Sequence, residues 1–162
     1  MSYLEQLVEE FYRFEGYLVH KKVTSPIEPW KGDIDLVCIK NDEITWCEIT
    51  PIKPKSMTKD LTTIIEKMKD SKLLKEFYGI TDYKKVIWVW ETNEKTIRDV
   101  ENGHGIEIKE LIELPRKIWS FIKQKTDHND KTSWSDPAMP MTSALGLFMD
   151  ALKKKRFIVS SE

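Results

Sequence analysis

Two acidic residues, Asp35 and Glu48, stand in neighbouring apolar runs of the sequence. Residues 34–39 and 44–49 are rich in Ile and Val, and the polar break between them is typical of an antiparallel β-hairpin. A carboxylate among apolar strand residues needs a partner, because burying a charge without one is costly. Two such groups close together repel each other unless a cation lies between them. The pair therefore predicts a divalent-metal site.

The position of the hairpin turn decides how close the two carboxylates come. A turn centred on residues 42–43 places Asp35 opposite Thr50. The same register places Val37 opposite Glu48. Residues two apart on a strand point to the same face, so both acids lie on one side of the sheet. They become diagonal neighbours with Cβ atoms roughly 7 Å apart, a separation that a bound cation can bridge.

Each acid also has a purely structural explanation. Glu48 could form a salt bridge with Lys21 or Lys53. Asp35, taken alone, is compatible with an ordinary acid at the end of a strand. Glu5, near the start of the chain, is compatible with an acid favoured by the positive end of a helix dipole. The sequence leaves these alternatives open.

The periodicity around the pair predicts the elements that position it. The run 86–90 is apolar on both faces, which is typical of a central strand covered on both sides. We therefore predict the α/β (α+β) class, with a mixed four- to five-stranded sheet flanked by helices. The predicted elements are a helix over 3–15, a strand over 17–23, the hairpin, a helix over 58–77, strands over 86–90 and 105–109, and a helix from 115 to about 125.

The length of 162 residues favours one domain with a short appendage. We predict a domain over 1–125 and a linker or arm over 126–140, which is polar and contains two prolines. An amphipathic helix and tail follow at 141–162. Its apolar stripe would dock on the domain itself or on a second subunit, so a homodimer is one expected arrangement.

The bulk composition excludes several classes of protein. The chain is 40% hydrophobic and 33% charged, with a net charge of −1, so it is not a general nucleic-acid sponge. No apolar run approaches the length of a membrane span, and the early acids Glu5, Glu9 and Glu10 argue against a signal peptide. We expect a cytoplasmic protein without membrane association.

Cysteines and lysines add two further expectations. Cys38 and Cys47 would be neighbours across the hairpin, and in the cytoplasm two reduced thiols are favoured over a disulfide. Seven lysines within 51–76, and a basic run at 153–156, surround the acidic centre. That arrangement suits a metal-dependent enzyme acting on phosphates, although solvated helix faces carrying lysines explain it equally well.

With these elements in this order, the chain resembles the PD-(D/E)XK, or restriction-endonuclease-like, nuclease superfamily. Within it, the chain resembles archaeal Holliday-junction resolvases and related small nucleases. The resemblance rests on Glu5 ahead of Gly16, on Gly-Asp-Ile-Asp-Leu-Val at 32–37 and on Trp-Cys-Glu-Ile-Thr at 46–50. It covers residues 2 to about 90 and implies a restriction-endonuclease-like core that hydrolyses DNA phosphodiester bonds.

The resemblance also implies a cofactor and its ligands. Asp35 and Glu48 would bind Mg²⁺, for which Mn²⁺ can substitute, and the backbone carbonyl of Ile49 would be a third ligand. Glu5 would project from the first helix and orient a metal-bound water or a second ion. Glu9, one turn further along, is the alternative for that role.

The sequence departs from the family pattern at Thr50, where the family has a lysine. A hydroxyl cannot replace a positive charge, and the loss of one preorganised charge costs roughly 10²–10³ in rate by analogy with oxyanion-hole deletions. Lys53 or Lys55 could swing back to the site, and Lys21 could reach across from the first strand. We expect Lys53 to assist catalysis. The alternative is a catalytically impaired module that binds nucleic acid or a protein partner without cleavage.

Nucleic-acid contacts are expected outside the acid pair. Lys21 and Lys55 are candidates by charge. Trp30 is a candidate for base stacking because it lies in a proline-flanked segment, although an anchoring role for this ring is equally compatible with the sequence. The histidines show no metal-ligand spacing and receive no role.

Overall fold

The computed structural model describes residues 3–24, 33–69, 72–118 and 120. The predicted linker at 126–140, the predicted C-terminal helix at 141–162 and Trp30 lie outside these residues. The elements in chain order are α1 (Tyr3–Phe14), β1 (Leu18–Val23), β2 (Ile34–Lys40), β3 (Glu43–Ile49), α2 (Lys59–Lys69), α3 (Lys72–Tyr78), β4 (Lys84–Val89), α4 (Glu94–His104) and β5 (Glu107–Glu110). A 3-10 turn at Leu111–Glu113 leads into a further helical stretch at residues 114–118.

The five strands form one mixed sheet in the order β1-β2-β3-β4-β5. The pairs β1–β2 and β2–β3 are antiparallel, whereas β3–β4 and β4–β5 are parallel. The parallel pairs are joined by α2 and α3 and by α4, because a parallel neighbour requires a crossover connection. The predicted α+β class with a mixed sheet flanked by helices is confirmed.

Helices cover both faces of the sheet. Each fully buried Leu, Ile or Val stabilises the fold by roughly 1.5–3 kcal/mol, so the two resulting core clusters hold the strands in place. The cluster under α2, α3 and α4 includes Val37, Trp46, Leu61, Ile65, Leu74, Ile87 and Val100. The cluster under α1 and the stretch 114–118 includes Val8, Phe11, Leu36, Cys47, Trp88 and Ile118. Among the described residues, no helix is both long and apolar enough to cross a membrane.

The predicted helix over 58–77 corresponds to α2 and α3. Thr58 begins α2, since its side-chain oxygen accepts a hydrogen bond from the backbone N of Leu61 at 3.3 Å. Leu61, Ile65 and Met68 are buried on the sheet. The apolar spacing that predicted one helix therefore places the inward face of α2 correctly.

Helix α4 is missing from the predicted elements. Its buried side chains are Thr96 and Val100, so its apolar stripe is too narrow to give a helical period. The residues that cap the two ends of α4 indicate the helix instead. Asn93 accepts a hydrogen bond from the backbone N of Thr96, and Gly105 ends the helix with a left-handed φ of 64°.

The predicted hairpin exists, but its predicted register is wrong by two residues. Asn41 and Asp42 form the turn with φ values of 49° and 65°, and two left-handed residues make the tight turn that matches strand twist. Val37 therefore pairs with Trp46 rather than Glu48. A shift of two residues keeps every side chain on its predicted face, because side-chain direction alternates with a period of two.

The same shift corrects the placement of the cysteines. Cys38 pairs with Thr45, and Cys47 pairs with Leu36, so the two thiols are diagonal rather than directly opposite neighbours. Both are free and buried. The contact with Cys47, together with burial, raises the pKa of Cys38 and keeps its thiol protonated.

Candidate metal centre

Asp35 and Glu48 converge at one end of the β2–β3 ladder. The last regular pair at this end is Leu36 with Cys47. One step further, Asp35 lies across from Glu48, closer than the predicted diagonal arrangement. Val37 and Trp46 belong to the core cluster under α2, α3 and α4. Asp35 lies two residues before Val37 and Glu48 two residues after Trp46, so both acidic side chains point to that face of the sheet.

Glu48 is buried, with 5% of its surface exposed, and each of its oxygens has a hydrogen-bond donor. The indole Nε1 of Trp46 donates to Oε1 at 2.7 Å. The ammonium Nζ of Lys67 donates to Oε2 at 2.7 Å and also to the backbone carbonyl of Asp33. Since a carboxylate oxygen has two acceptor directions, these bonds orient the group and leave each oxygen one further direction.

Asp35 is partly buried and held by the neighbouring strand. The backbone N of Ile49 donates a hydrogen bond to its Oδ2 at 2.7 Å. This bond joins the beginning of β2 to the end of β3. It fixes the Asp35 carboxylate beside Glu48 without the need for a lysine.

The charge of Asp35 opposes the ionisation of Glu48. Burial first, and the charge of Asp35 second, raise the pKa of Glu48 from 4.5 to about 7, although Lys67 and the Trp46 indole act in the other direction. One ammonium and one indole donor therefore do not offset the cost of burying this carboxylate beside Asp35. A second cation at the pair would relieve it.

The pKa of Asp35 is also raised, chiefly by burial. The Ile49 N–H and the Lys67 charge oppose the rise, while the charges of Glu5 and Asp33 add to it. The effect of Glu5 shows that the first turn of α1 brings its carboxylate within electrostatic reach of Asp35. The charges of Glu5 and Asp33 thus act on Asp35 in addition to the neighbouring Glu48.

The donor set fits a hard divalent ion that keeps part of its water shell. In the described parts of the chain, no three His, Cys, Asp or Glu side chains converge tightly enough to form a ligand cluster. Mg²⁺ does not require one, because proteins usually hold it through one or two carboxylates with water and substrate phosphate oxygens completing the octahedron. Asp35 and Glu48 would supply those two carboxylates.

Two of the candidate residues from the sequence, Glu9 and Lys21, form an ion pair with each other. Glu9, the alternative to Glu5, is buried and forms ion pairs with Arg13 at 2.9 Å and Lys21 at 3.2 Å. Glu5 therefore remains the candidate acid from α1. Lys21, a candidate to reach the acid pair from β1, instead pairs with Glu9 on α1.

The lysines downstream of Thr50 lie along the loop before α2. Lys53 Nζ is 3.8 Å from Glu91 and 5.9 Å from the centre of the Trp90 ring. The backbone carbonyl of Lys55 accepts a hydrogen bond from Asn93. The roles assigned to Lys53 in catalysis and to Lys55 in nucleic-acid binding stay predictions.

Lys67 is the site residue that sequence reasoning missed. It follows Glu48 by 19 residues and lies on a helix, beside the inward-facing Met68. A lysine at the margin of an apolar stripe is common on any amphipathic helix. No local pattern distinguishes Lys67 from its neighbours Lys59 and Lys69.

The chain matches no model of a protein family, and no curated protein matches it. Among solved structures, it is similar to the crystal structure of a repair endonuclease from Pyrococcus abyssi, with 17% sequence identity and a TM-score of 0.45. The similarity covers 64% of this chain and 43% of that chain, so this chain spans less than half the length of that protein. The activity of the present chain has to be inferred from its own site.

Proposed function

We propose that this protein is an Mg²⁺-dependent endonuclease that hydrolyses DNA phosphodiester bonds. The observation that carries the proposal is the opposed pair Asp35 and Glu48, both with raised pKa values, at one end of the sheet. Maintaining a buried carboxylate beside a second acid costs stability. The positive charge of a bound divalent ion would offset that cost.

Each acidic residue has a separate task in this proposal. Asp35 and Glu48 would hold the ion, with the carbonyl of Ile49 as a candidate third ligand. Bound Mg²⁺ supplies Lewis-acid chemistry: it polarises the phosphate, lowers the pKa of water and neutralises the leaving oxygen. Glu5, partly buried at the start of α1, would orient the attacking water through its carboxylate.

DNA is the expected substrate because the segment that brings Lys67 to the acid pair is rich in lysine. The segment 51–76 contributes seven lysines, and described members of this set lie on α2 and on the loop before it. Such cations neutralise backbone phosphates without reading sequence. This favours recognition of backbone shape, such as branched DNA, over recognition of a base sequence.

The alternative function is binding without cleavage, and one observation favours it. The ion pair between Glu48 and Lys67 at 2.7 Å already supplies the acid with a cation. In that case Thr50 marks a degenerate site, and the domain would retain nucleic acid or a protein partner. The Glu48→Ala variant would then bind DNA as the wild type does.

Cleavage assays distinguish the two functions. Purified protein is incubated with supercoiled plasmid, linear duplex and four-way-junction DNA in Mg²⁺, in Mn²⁺ and in chelator. We expect metal-dependent cleavage that Asp35→Asn lowers by about 10²–10³, the cost of one preorganised polar group at such a centre. Glu43→Gln is the matched control on the same hairpin, since its carboxylate pairs with Lys84 at 2.9 Å at the turn end of β3.

The outcomes separate cleanly. Wild-type cleavage that Glu43→Gln retains and Asp35→Asn loses supports the nuclease. DNA retention in a gel shift, with wild-type cleavage no greater than that of Asp35→Asn in either metal, refutes the nuclease and supports the binding module.

A further inference from the structure

Lys67 contacts the acid pair from a different element. It projects from α2 across the open end of the β2–β3 ladder, and its Nζ lies 2.7 Å from Glu48 Oε2. Its second hydrogen bond goes to the backbone carbonyl of Asp33, at the beginning of β2. The ammonium is thus held between the ends of two strands and does not depend on Glu48 alone.

The position of Lys67 also keeps it available to a substrate. Its side chain is 24% exposed, whereas that of Glu48 is 6% exposed. The ammonium therefore lies at the mouth of the site, between the buried carboxylate and solvent. A phosphate that approaches the acid pair from solvent would meet this cation.

Position 50 offers no such charge. The backbone N of Thr50 donates to the carbonyl of Trp88 at 2.9 Å, so the chain still runs beside β4 at this point. Continued alternation places the Thr50 side chain on the face of Glu48, two residues away. A hydroxyl there leaves negative charge on a reacting phosphate without a neighbouring cation from β3.

We propose that Lys67 supplies the positive charge that stabilises the reacting phosphate, in place of a cation at position 50. This rests on the proposed nuclease function and assigns a catalytic residue within it. As water attacks phosphorus, its O–H proton is lost to solvent or to a nearby carboxylate. The bond to the leaving oxygen breaks as the bond to the water oxygen forms, and the leaving oxygen takes up a proton from solvent. The excess negative charge lies on the non-bridging phosphate oxygens, which the Lys67 ammonium contacts.

A purely structural ion pair would make a different prediction. A structural lysine matters for the stability of the fold, and its charge would have no effect on turnover once the protein is folded. A catalytic lysine matters for turnover in a protein that is folded and still binds metal. Its charge should also be replaceable from a neighbouring position on the same face.

The test is a relocation of the lysine. Lys67→Met removes the charge, and Lys67→Gln removes it while keeping hydrogen-bond donors for Glu48 and the Asp33 carbonyl. The double variant Lys67→Met/Thr50→Lys returns the charge from β3. Lys69→Met is the matched control on the same helix, since Lys69 pairs with the exposed Glu66.

Three quantities are measured for each variant: the single-turnover cleavage rate at saturating protein, the affinity for Mn²⁺ from the EPR signal of the free ion, and the thermal unfolding midpoint. We expect Lys67→Met and Lys67→Gln to lose about 10²–10³ in rate. Their Mn²⁺ affinity should be equal to or tighter than that of the wild type, because a competing positive charge is gone. The double variant should recover at least about tenfold over Lys67→Met, and Lys69→Met should match the wild type.

Several results would overturn the assignment. Lys67→Gln with cleavage within about threefold of the wild type would do so while leaving the nuclease function intact. Loss of Mn²⁺ binding in both single variants would show that Lys67 only positions Glu48. A double variant no faster than Lys67→Met would also refute it. Absence of wild-type cleavage would overturn both this assignment and the proposed function.

Discussion

Replacing Glu48 with Gln should change how the stability of the metal-free protein depends on pH. Gln keeps an oxygen that can accept the Trp46 Nε1 bond, which is 2.7 Å long in the wild type. It removes the one group at the pair whose pKa rises to about 7. The comparison between the two proteins therefore isolates the titration of Glu48.

The sign follows from proton linkage. Between pH 4.5 and about 7, the folded wild type keeps the Glu48 proton that the unfolded chain has released. Stability therefore falls as pH rises through this window, and the full cost is present above about pH 7. At about 1.4 kcal/mol per pH unit, Glu48 destabilises the folded state by about 3 kcal/mol at pH 8 relative to pH 4.5. The Gln variant lacks this fall.

Urea unfolding measures the effect. Tryptophan fluorescence is followed at pH 5, 6, 7 and 8 in the presence of chelator, so that no ion compensates the ionised pair. The free energy of unfolding of Glu48→Gln minus that of the wild type should increase from pH 5 to pH 7 and level off by pH 8. Glu43→Gln is the control on the same strand, since the Glu43 carboxylate is partly exposed and pairs with Lys84 at 2.9 Å. Its curve should run parallel to that of the wild type.

A flat difference between Glu48→Gln and the wild type over this range would refute the reasoning. It would mean that Lys67 keeps Glu48 ionised at all these pH values. The pair would then be a satisfied structural ion pair, and the electrostatic demand for a divalent ion would disappear. A difference that decreases with pH would refute it more strongly.

Two further substitutions test the surroundings of the site. Trp46→Phe removes the indole donor that lowers the pKa of Glu48, so the pKa of Glu48 should rise further. In the same urea series, the loss of stability should therefore be larger at pH 8 than at pH 5. Equal losses at the two pH values would contradict the role of this hydrogen bond. Asn93→Ala removes the cap of α4 and should cost about 1 kcal/mol in thermal unfolding without changing Mn²⁺ affinity; an unchanged midpoint would argue against the cap.

Much of the fold follows from local patterns. The alternation in 34–39 and 44–49 predicts a hairpin, and the run 86–90 predicts a buried central strand, which is β4. The predicted register is wrong because the predicted turn, at residues 42–43, lies one residue after the observed turn at Asn41-Asp42. Asn and Asp both tolerate the left-handed conformation, so the dipeptide Asn41-Asp42 is itself a sequence signal for the tight turn.

Helix α4 shows a limit of periodicity. Helix α4 packs on the sheet through few side chains, and Ile97 and Val100 alone make too short an apolar stripe. The capping residues Asn93 and Gly105 are weak signals in isolation, since both residue types are common in turns. Packing against β5 decides that this segment is helical.

The sequence by itself determined that Asp35 and Glu48 share a face of the sheet. Alternation fixes side-chain direction, and an error of two residues in register leaves it unchanged. Only the tertiary structure decided which cation meets them. Lys67 lies 19 residues beyond Glu48, and the packing of α2 on the sheet selects one lysine from a basic segment. That selection depends on the position of a whole helix, which no spacing along the chain encodes.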